Sequence, residues 1–137
     1  MFANPSPDQI RSLLQEAKTI AVVGLSPRPD RPSYRVSRAM QGFGYRIVPV
    51  RPAVAEVLGE KAWACLSEIP FAVDMVDVFR AGDQIDPIVD ECIALGVKRL
   101  WLQDGVINEA AAERARAAGI TVVMDRCVWR DYMELVL

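Results

Sequence analysis

The sequence contains no histidine at all. That single absence removes Ser-His-Asp and Cys-His nucleophile systems together with every imidazole metal site, although carboxylate and lysine chemistry stays open. Cysteine is scarce: Cys65, Cys92 and Cys127 are odd in number and far apart. Without a C-x-x-C pair there is no zinc knuckle and no dithiol redox motif, so they read as reduced, buried small hydrophobes of a cytoplasmic protein. Long apolar runs are missing too, none approaching the roughly 20 residues of a membrane span. The opening "MFANPSPDQI" lacks the basic and apolar regions of a signal peptide. Nor is there an excess of positive charge; the formal net charge is −2, and no global basic field recruits nucleic acid or an anionic membrane. What is present is ordinary globular composition, 52% hydrophobic and 25% charged over 137 residues, which suits one domain, residues 1–137, around one core.

Read along the chain, helical and strand patterns alternate. In "SPDQIRSLLQEAKTI" Ser6 is a candidate N-cap, Pro7 stands at the first helical position, and Ile10, Leu13, Leu14 and Ala17 recur at helical spacing. "TIAVVGL" is a continuous apolar run, the pattern of a parallel strand buried on both faces. "SYRVSRAMQGFG" sets Val36, Ala39, Met40 and Phe43 on one stripe and stops at Gly42 and Gly44. "YRIVPV" is the second strand. "AVAEVLGEKAWACLSEIP" has no clean period and reads as a connection with a helical turn near "CLSEI". "VDMVDVF" is the third strand, followed by a helix over "GDQIDPIVDECIALG" capped by Asp83 or Gly82, with Pro87 harmless in its first turn. "KRLWLQ", an alanine-rich helix, "ITVVMD" and a short tail helix over "CVWRDYMELVL" complete the chain.

This alternation predicts an α/β, Rossmann-like, doubly wound sheet of five parallel strands in the order 3-2-1-4-5, with helices on both faces. Ligands of such sheets bind beyond the carboxyl ends of the strands where the order reverses, here the mouth between the first strand and "KRLWLQ". The loops gathered there are "GLSPRPDRPS", "VRP", "FRAGD" and "LQDGV".

The first of these starts like a dinucleotide turn at Gly24 but lacks the second and third fingerprint glycines. In their place stand Ser26 and Ser33, three stiffening prolines, and Arg28, Arg31 and Arg35 within eight residues. Amides near a helix N-terminus beside such cations suit an anion. A nicotinamide site usually has Asp or Glu after the second strand to accept ribose hydroxyls; this chain has Arg51. NAD is therefore disfavoured, and a phosphorylated ADP moiety, as in NADP or coenzyme A, is favoured.

From about Thr19 to Tyr132 the blocks "IAVVGLSPRPDRPSYRV", "GYRIVPVRP", "LGEKAWACLSEIP", "VDMVDVFR", "WLQDGVINEAAAERARAAG" and "VVMDRC" resemble the small stand-alone CoA-binding proteins. These are similar to the N-terminal CoA-binding domain of the succinyl-CoA synthetase α subunit. The resemblance implies that Gly24, Ser26, Arg28, Arg31 and Ser33 contact phosphates, and that Arg51 and Pro52 meet the adenosine end, Arg51 near the 3′-phosphate. It further implies that Phe79 and Arg80 flank the adenine, and that Gln103, Asp104 and Gly105 line the opposite wall. Tyr34 is implied as a packing residue that touches the pantetheine arm. One departure is Arg51, where many relatives carry Asn; it either strengthens a phosphate contact or points to solvent. The larger synthetase also has a phosphorylated histidine and a nucleotide-grasp domain that this chain lacks.

The expected function is thus binding of CoA or acyl-CoA without independent catalysis, as carrier, sensor or regulator, with no catalytic residue and no metal. A homodimer or an acyl-CoA-metabolising enzyme is the expected partner. Two rivals stand beside it: an NADP-dependent oxidoreductase, for which the chain has little room for a substrate domain, and a redox or metabolite-sensing module working through dimer contacts of the apolar tail. Asp83 and Asp104 read as a helix cap and a turn former, Trp63, Trp101 and Trp129 as packing residues, Glu113 and Arg116 as a helix-surface pair, and "MDRC" as the site of a buried Asp–Arg pair anchoring the tail. The sharper alternative there is a mixed disulfide between Cys127 or Cys65 and the CoA thiol.

Overall fold

Ten residues, Pro7–Glu16, form the first helix, α1, and the capping box that starts it is complete: the Ser6 hydroxyl accepts the Gln9 amide at 3.2 Å and Gln9 Oε1 accepts the Ser6 amide at 2.8 Å. The structure, a computed structural model, describes residues 1–137. β1 (Thr19–Val23) leads through the arginine-rich loop into α2 (Pro32–Gly42), which has a proline at its start. The buried face of α2 holds Val36 and Met40 as expected, but with Ser33 and Ser37 beside them rather than Ala39. β2 (Arg46–Val50) is followed by a small antiparallel hairpin, β3 (Glu56–Val57) and β4 (Glu60–Lys61), and by a 3-10 turn over Leu66–Glu68 where a helical turn was expected.

Next come β5 (Met75–Val78), α3 (Ile85–Leu95), β6 (Arg99–Leu102), α4 (Glu109–Ala117), β7 (Thr121–Met124) and α5 (Val128–Leu135). Neither Asp83 nor Gly82 caps α3. A 3-10 turn, Gly82–Gln84, runs straight into it and no side chain bonds its first amides.

The five strands are parallel and ordered β2-β1-β5-β6-β7. Outside β2 a sixth extended segment pairs in parallel through Trp63 and Val50, with the Arg51 amide on Trp63 O at 2.8 Å and the Trp63 amide on Pro49 O at 3.0 Å. From the centre the chain therefore steps outward through β2 to Trp63 and then crosses back over β1, which is the 3-2-1-4-5 winding expected. The outer place is held by the Trp63 bridge, while "VDMVDVF" lies on the other side of β1. Every residue of β5 is buried, a pattern that belongs between two neighbours rather than at an edge.

Strand side chains alternate between two cores. Ala21, Val23, Val76 and Val78 face α3 and α4; Ile20, Val22, Met75 and Trp101 face α1, α2 and α5. Trp101 is wholly buried and its indole N–H donates to Arg126 O at 2.8 Å, whereas Trp129 stays 36% exposed. The tail is anchored by an Asp–Arg pair, but the acid is Asp131 rather than Asp125, and only Asp131 is buried; Arg126, 2.6 Å away, is half-exposed. Glu113 and Arg116 pair at 3.7 Å. Of the cysteines only Cys92 is buried, which pushes its thiol up to about 12; Cys65 and Cys127 are half-exposed. No helix is long and apolar enough to cross a membrane.

Candidate ligand-binding crevice

Because β5 adjoins β1, the order of the sheet reverses between these two strands, one strand nearer than the mouth expected at "KRLWLQ". The loops leaving Val23 and Val78, register partners, go to opposite faces and open a crevice between them. Its first turn depends on Gly24. The φ of +86° is left-handed, and a Cβ would stand 2.7 Å from Phe79 O and 3.0 Å from Arg80 Cδ. Only glycine lets the two loops approach this closely.

Beyond the fully buried anchor Leu25, the two serines tie the loop to the start of α2. The Ser33 hydroxyl accepts the Ser26 amide at 3.0 Å, and the Ser26 hydroxyl accepts the Arg28 amide at 3.1 Å. Each oxygen is used as an acceptor, so each hydroxyl proton remains available to a ligand oxygen. α2 starts at Arg31 with no side-chain cap and no acid in its first turn. By contrast, α1 and α4 have a capping Ser6 or Asn108 and an acid behind it. A cation at the positive end of a helix dipole is an electrostatic mismatch unless an anion joins it.

Gly24, Ser26, Arg28, Arg31 and Ser33 from this loop, Arg51 from the end of β2 and Phe79 from the end of β5 line one open cleft of about 470 Å³, together with Pro32. Seven of the thirteen residues singled out from the sequence thus meet here. No lining residue is acidic. Arg51 bends back over the turn, its guanidinium donating to Gly24 O at 3.2 Å. Arg28 has only its loop neighbour Asp30, 3.5 Å away, as a carboxylate partner.

The other six lie around or apart from the cleft. Arg80 is exposed beside the Gly24 turn. Pro52 is exposed in the turn after Arg51. Tyr34 is half-buried against the α2-side core, with the Arg38 guanidinium 6.0 Å from its ring centre. Gln103, Asp104 and Gly105 form a turn held by the tail. Gln103 Oε1 accepts the Val128 amide at 3.1 Å, Asp104 pairs with Arg130 at 2.8 Å, and the Gly105 amide donates to Asp125 at 2.7 Å. Hydrogen bonding from Arg130 holds the Asp104 carboxyl below its ordinary value. Sequence reasoning passed over Pro32, which joins the lining, and Asp77, a carboxyl enclosed in β5 close to the crevice; an acid inside an otherwise apolar strand was the available signal.

A larger groove of about 860 Å³ runs between α1 and the amino ends of β6 and β7. It lies at the opposite end of the sheet from the strand carboxyl ends, and its charges are largely self-paired, as in Arg99–Glu16 at 2.9 Å. The cleft at the switch point, with its unbalanced cations, is the better candidate.

A protein-family model described as a CoA binding domain matches residues 18–133. The chain is 46% identical over 125 residues to the uncharacterized protein YneT of Bacillus subtilis, covering 91% of this chain and 93% of that one. It is 30% identical over 98 residues to the α subunit of acetate–CoA ligase [ADP-forming] II of Pyrococcus furiosus, 71% of this chain but only 21% of that subunit. Among solved structures it matches a hypothetical protein from Pyrococcus horikoshii OT3 with a TM-score of 0.94 and 31% identity, covering 100% and 99% of the two chains.

Proposed function

Since the chain belongs to the family of CoA-binding domains, we propose that its crevice binds coenzyme A or an acyl-CoA, and that the protein serves as a carrier, sensor or regulator rather than as an enzyme in its own right. One observation carries this reading. The uncapped, acid-free start of α2 and the cations Arg28, Arg31 and Arg51 converge on one cleft with no carboxylate in its lining. A diphosphate beside the helix N-terminus would supply the missing negative charge, and Arg51 stands where a cation suits a ribose phosphate rather than a free ribose hydroxyl. Proton transfer needs an acid or base within reach of the reacting atoms; the lining provides glycine, serine, arginine, proline and phenylalanine only. The ligase chemistry of the archaeal relative belongs to a subunit of which this chain spans about a fifth.

Calorimetric titration tests the reading. CoA is expected to bind, dephospho-CoA more weakly, and NAD not at all. Arg31→Ala and Arg51→Ala each lower CoA affinity about tenfold or more, the scale of one hydrogen bond to a charged group. A folded protein that gives no heat with millimolar CoA refutes the proposal, and binding of NADP in preference to CoA moves the assignment to the oxidoreductase reading.

A further inference from the structure

Asp77 sits where nothing in the fold requires a carboxyl. It lies in the register row of Val22 and Trp101, is 2% exposed, and its Oδ1 has no hydrogen-bond partner. It belongs to none of the eight ion pairs of the protein. Two residues further along the same strand direction, Phe79 lines the crevice. At roughly 3.3 Å per residue, the carboxyl is about 7 Å beneath the crevice floor.

Few other ionisable groups are packed into the core on this side of the sheet, and those of α1, Asp8, Arg11 and Glu16, are paired outside it. α2 brings Tyr34, and also Ser37, whose buried hydroxyl is likewise unpartnered. β2 follows Tyr45, and α5 brings Cys127, Tyr132 and Asp131, the last neutralised by Arg126. β1 and β6 present Val22, Trp101 and the neutral Gln103. The crevice itself contributes the cations Arg28, Arg31 and Arg51, with Arg80 adjacent. Enclosure without a charge partner pushes the Asp77 carboxyl well above its ordinary value, against a backbone hydrogen bond from Val78, and so favours the neutral acid.

We propose that Asp77 makes ligand binding proton-linked: the crevice holds its polyanion while Asp77 keeps its proton and loosens its hold when that proton is lost to solvent. This rests on the CoA reading above and adds a regulation of the same site. The balance is simple, a carboxylic acid giving a carboxylate and a released proton. The new anion is enclosed in protein, where its field reaches the phosphates with little screening. Two unit charges roughly 10 Å apart at an effective dielectric of about 20 change an affinity by roughly tenfold. Linkage is reciprocal, so bound phosphate raises the proton affinity of Asp77 by the same factor.

The test is calorimetry with CoA from neutral to alkaline pH, repeated in buffers of different ionisation enthalpy. The wild-type protein is expected to take up a fraction of a proton on binding at alkaline pH and to lose about tenfold in affinity across that range. Asp77→Asn is expected to keep the neutral-pH affinity and lose both effects, while Cys127→Ser keeps both. Proton uptake and pH slope unchanged in Asp77→Asn overturn the inference. Should that variant fail to fold, the carbon-13 resonance of the Asp77 carboxyl in the wild type decides: its titration midpoint must rise when CoA is bound, and an unmoved midpoint is equally fatal. Absence of CoA binding at neutral pH would instead overturn the CoA reading, and this inference with it.

Discussion

Gly24 shows how much of the crevice rests on one residue. Its φ of +86° costs an L side chain about 1 kcal/mol or more. The heavier penalty is steric, because a methyl group at 2.7 Å from the Phe79 carbonyl has only backbone to push against. Gly24→Ala is therefore expected to lower Tm and to weaken CoA binding at least about tenfold, by forcing the β1 and β5 loops apart. Gly42 is the matched control, since it ends α2 at an ordinary φ with nothing within 4 Å of an added Cβ. Gly42→Ala is expected to leave binding unchanged and to stabilise the fold by about 0.5–1 kcal/mol, the gain from less backbone freedom in the unfolded chain. Thermal melts and one titration per variant separate the two glycines. Equal losses in both would mean that the close approach of the loops is not what Gly24 provides.

Among the elements, α2 is the helix built against its own interest. Arg31 occupies the N-cap position in extended conformation, φ −86° and ψ 145°, and caps nothing. An aspartate there would accept a first-turn amide and complement the dipole, worth about 1 kcal/mol. Arg31→Asp is accordingly expected to raise Tm of the free protein by a few degrees and to abolish most CoA binding, a stability gain at the expense of the site. A variant that binds as before, or that is destabilised, would show that the start of α2 is not arranged for an anion. Some caps of this local kind were readable: Ser6 and Pro7 start α1 where the sequence puts them, and Arg28, Arg31 and Arg51 line the cleft, but neither Asp83 nor Gly82 caps α3 as expected. The hairpin β3–β4 was not readable, because its turn is Leu58-Gly59 with Leu58 at φ 55°. Such turns are signalled by Asn-Gly or Asp-Gly, and a leucine in the left-handed region gives no such cue. The place of β5 was hidden by Asp77, which makes a fully buried strand look half-polar. The turn at Gln103–Gly105 was read from the sequence but its anchorage to the tail was not, since its partners Asp125, Val128 and Arg130 are 20 to 26 residues away in the chain.

Over the whole molecule, each edge of the sheet is partly covered at its carboxyl end. Trp63 covers β2, and Asn4 imitates a neighbouring strand at β7, its Nδ2 donating to Met124 O at 3.0 Å and its Oδ1 accepting the Met124 amide at 2.8 Å. Charge is divided as unevenly as the edges are protected. Residues 24–61 hold seven Lys/Arg against three Asp/Glu, and the remainder nine against fifteen. The net charge of −2 thus conceals a basic stretch that carries the crevice loop, α2 and β2, and an acidic remainder. A polyanion approaching the molecule is drawn to one side of it, and its association rate should respond to that local field rather than to the overall sign. Raising salt from well below to well above physiological strength shortens the screening length from about 30 Å to about 3 Å. CoA association is expected to slow severalfold over that range, with dissociation changing less, as stopped-flow kinetics would record. The net charge alone predicts the opposite trend, faster association of an anionic ligand as salt screens a negatively charged protein, so the sign of the salt effect distinguishes a field made by the crevice from one made by the molecule as a whole.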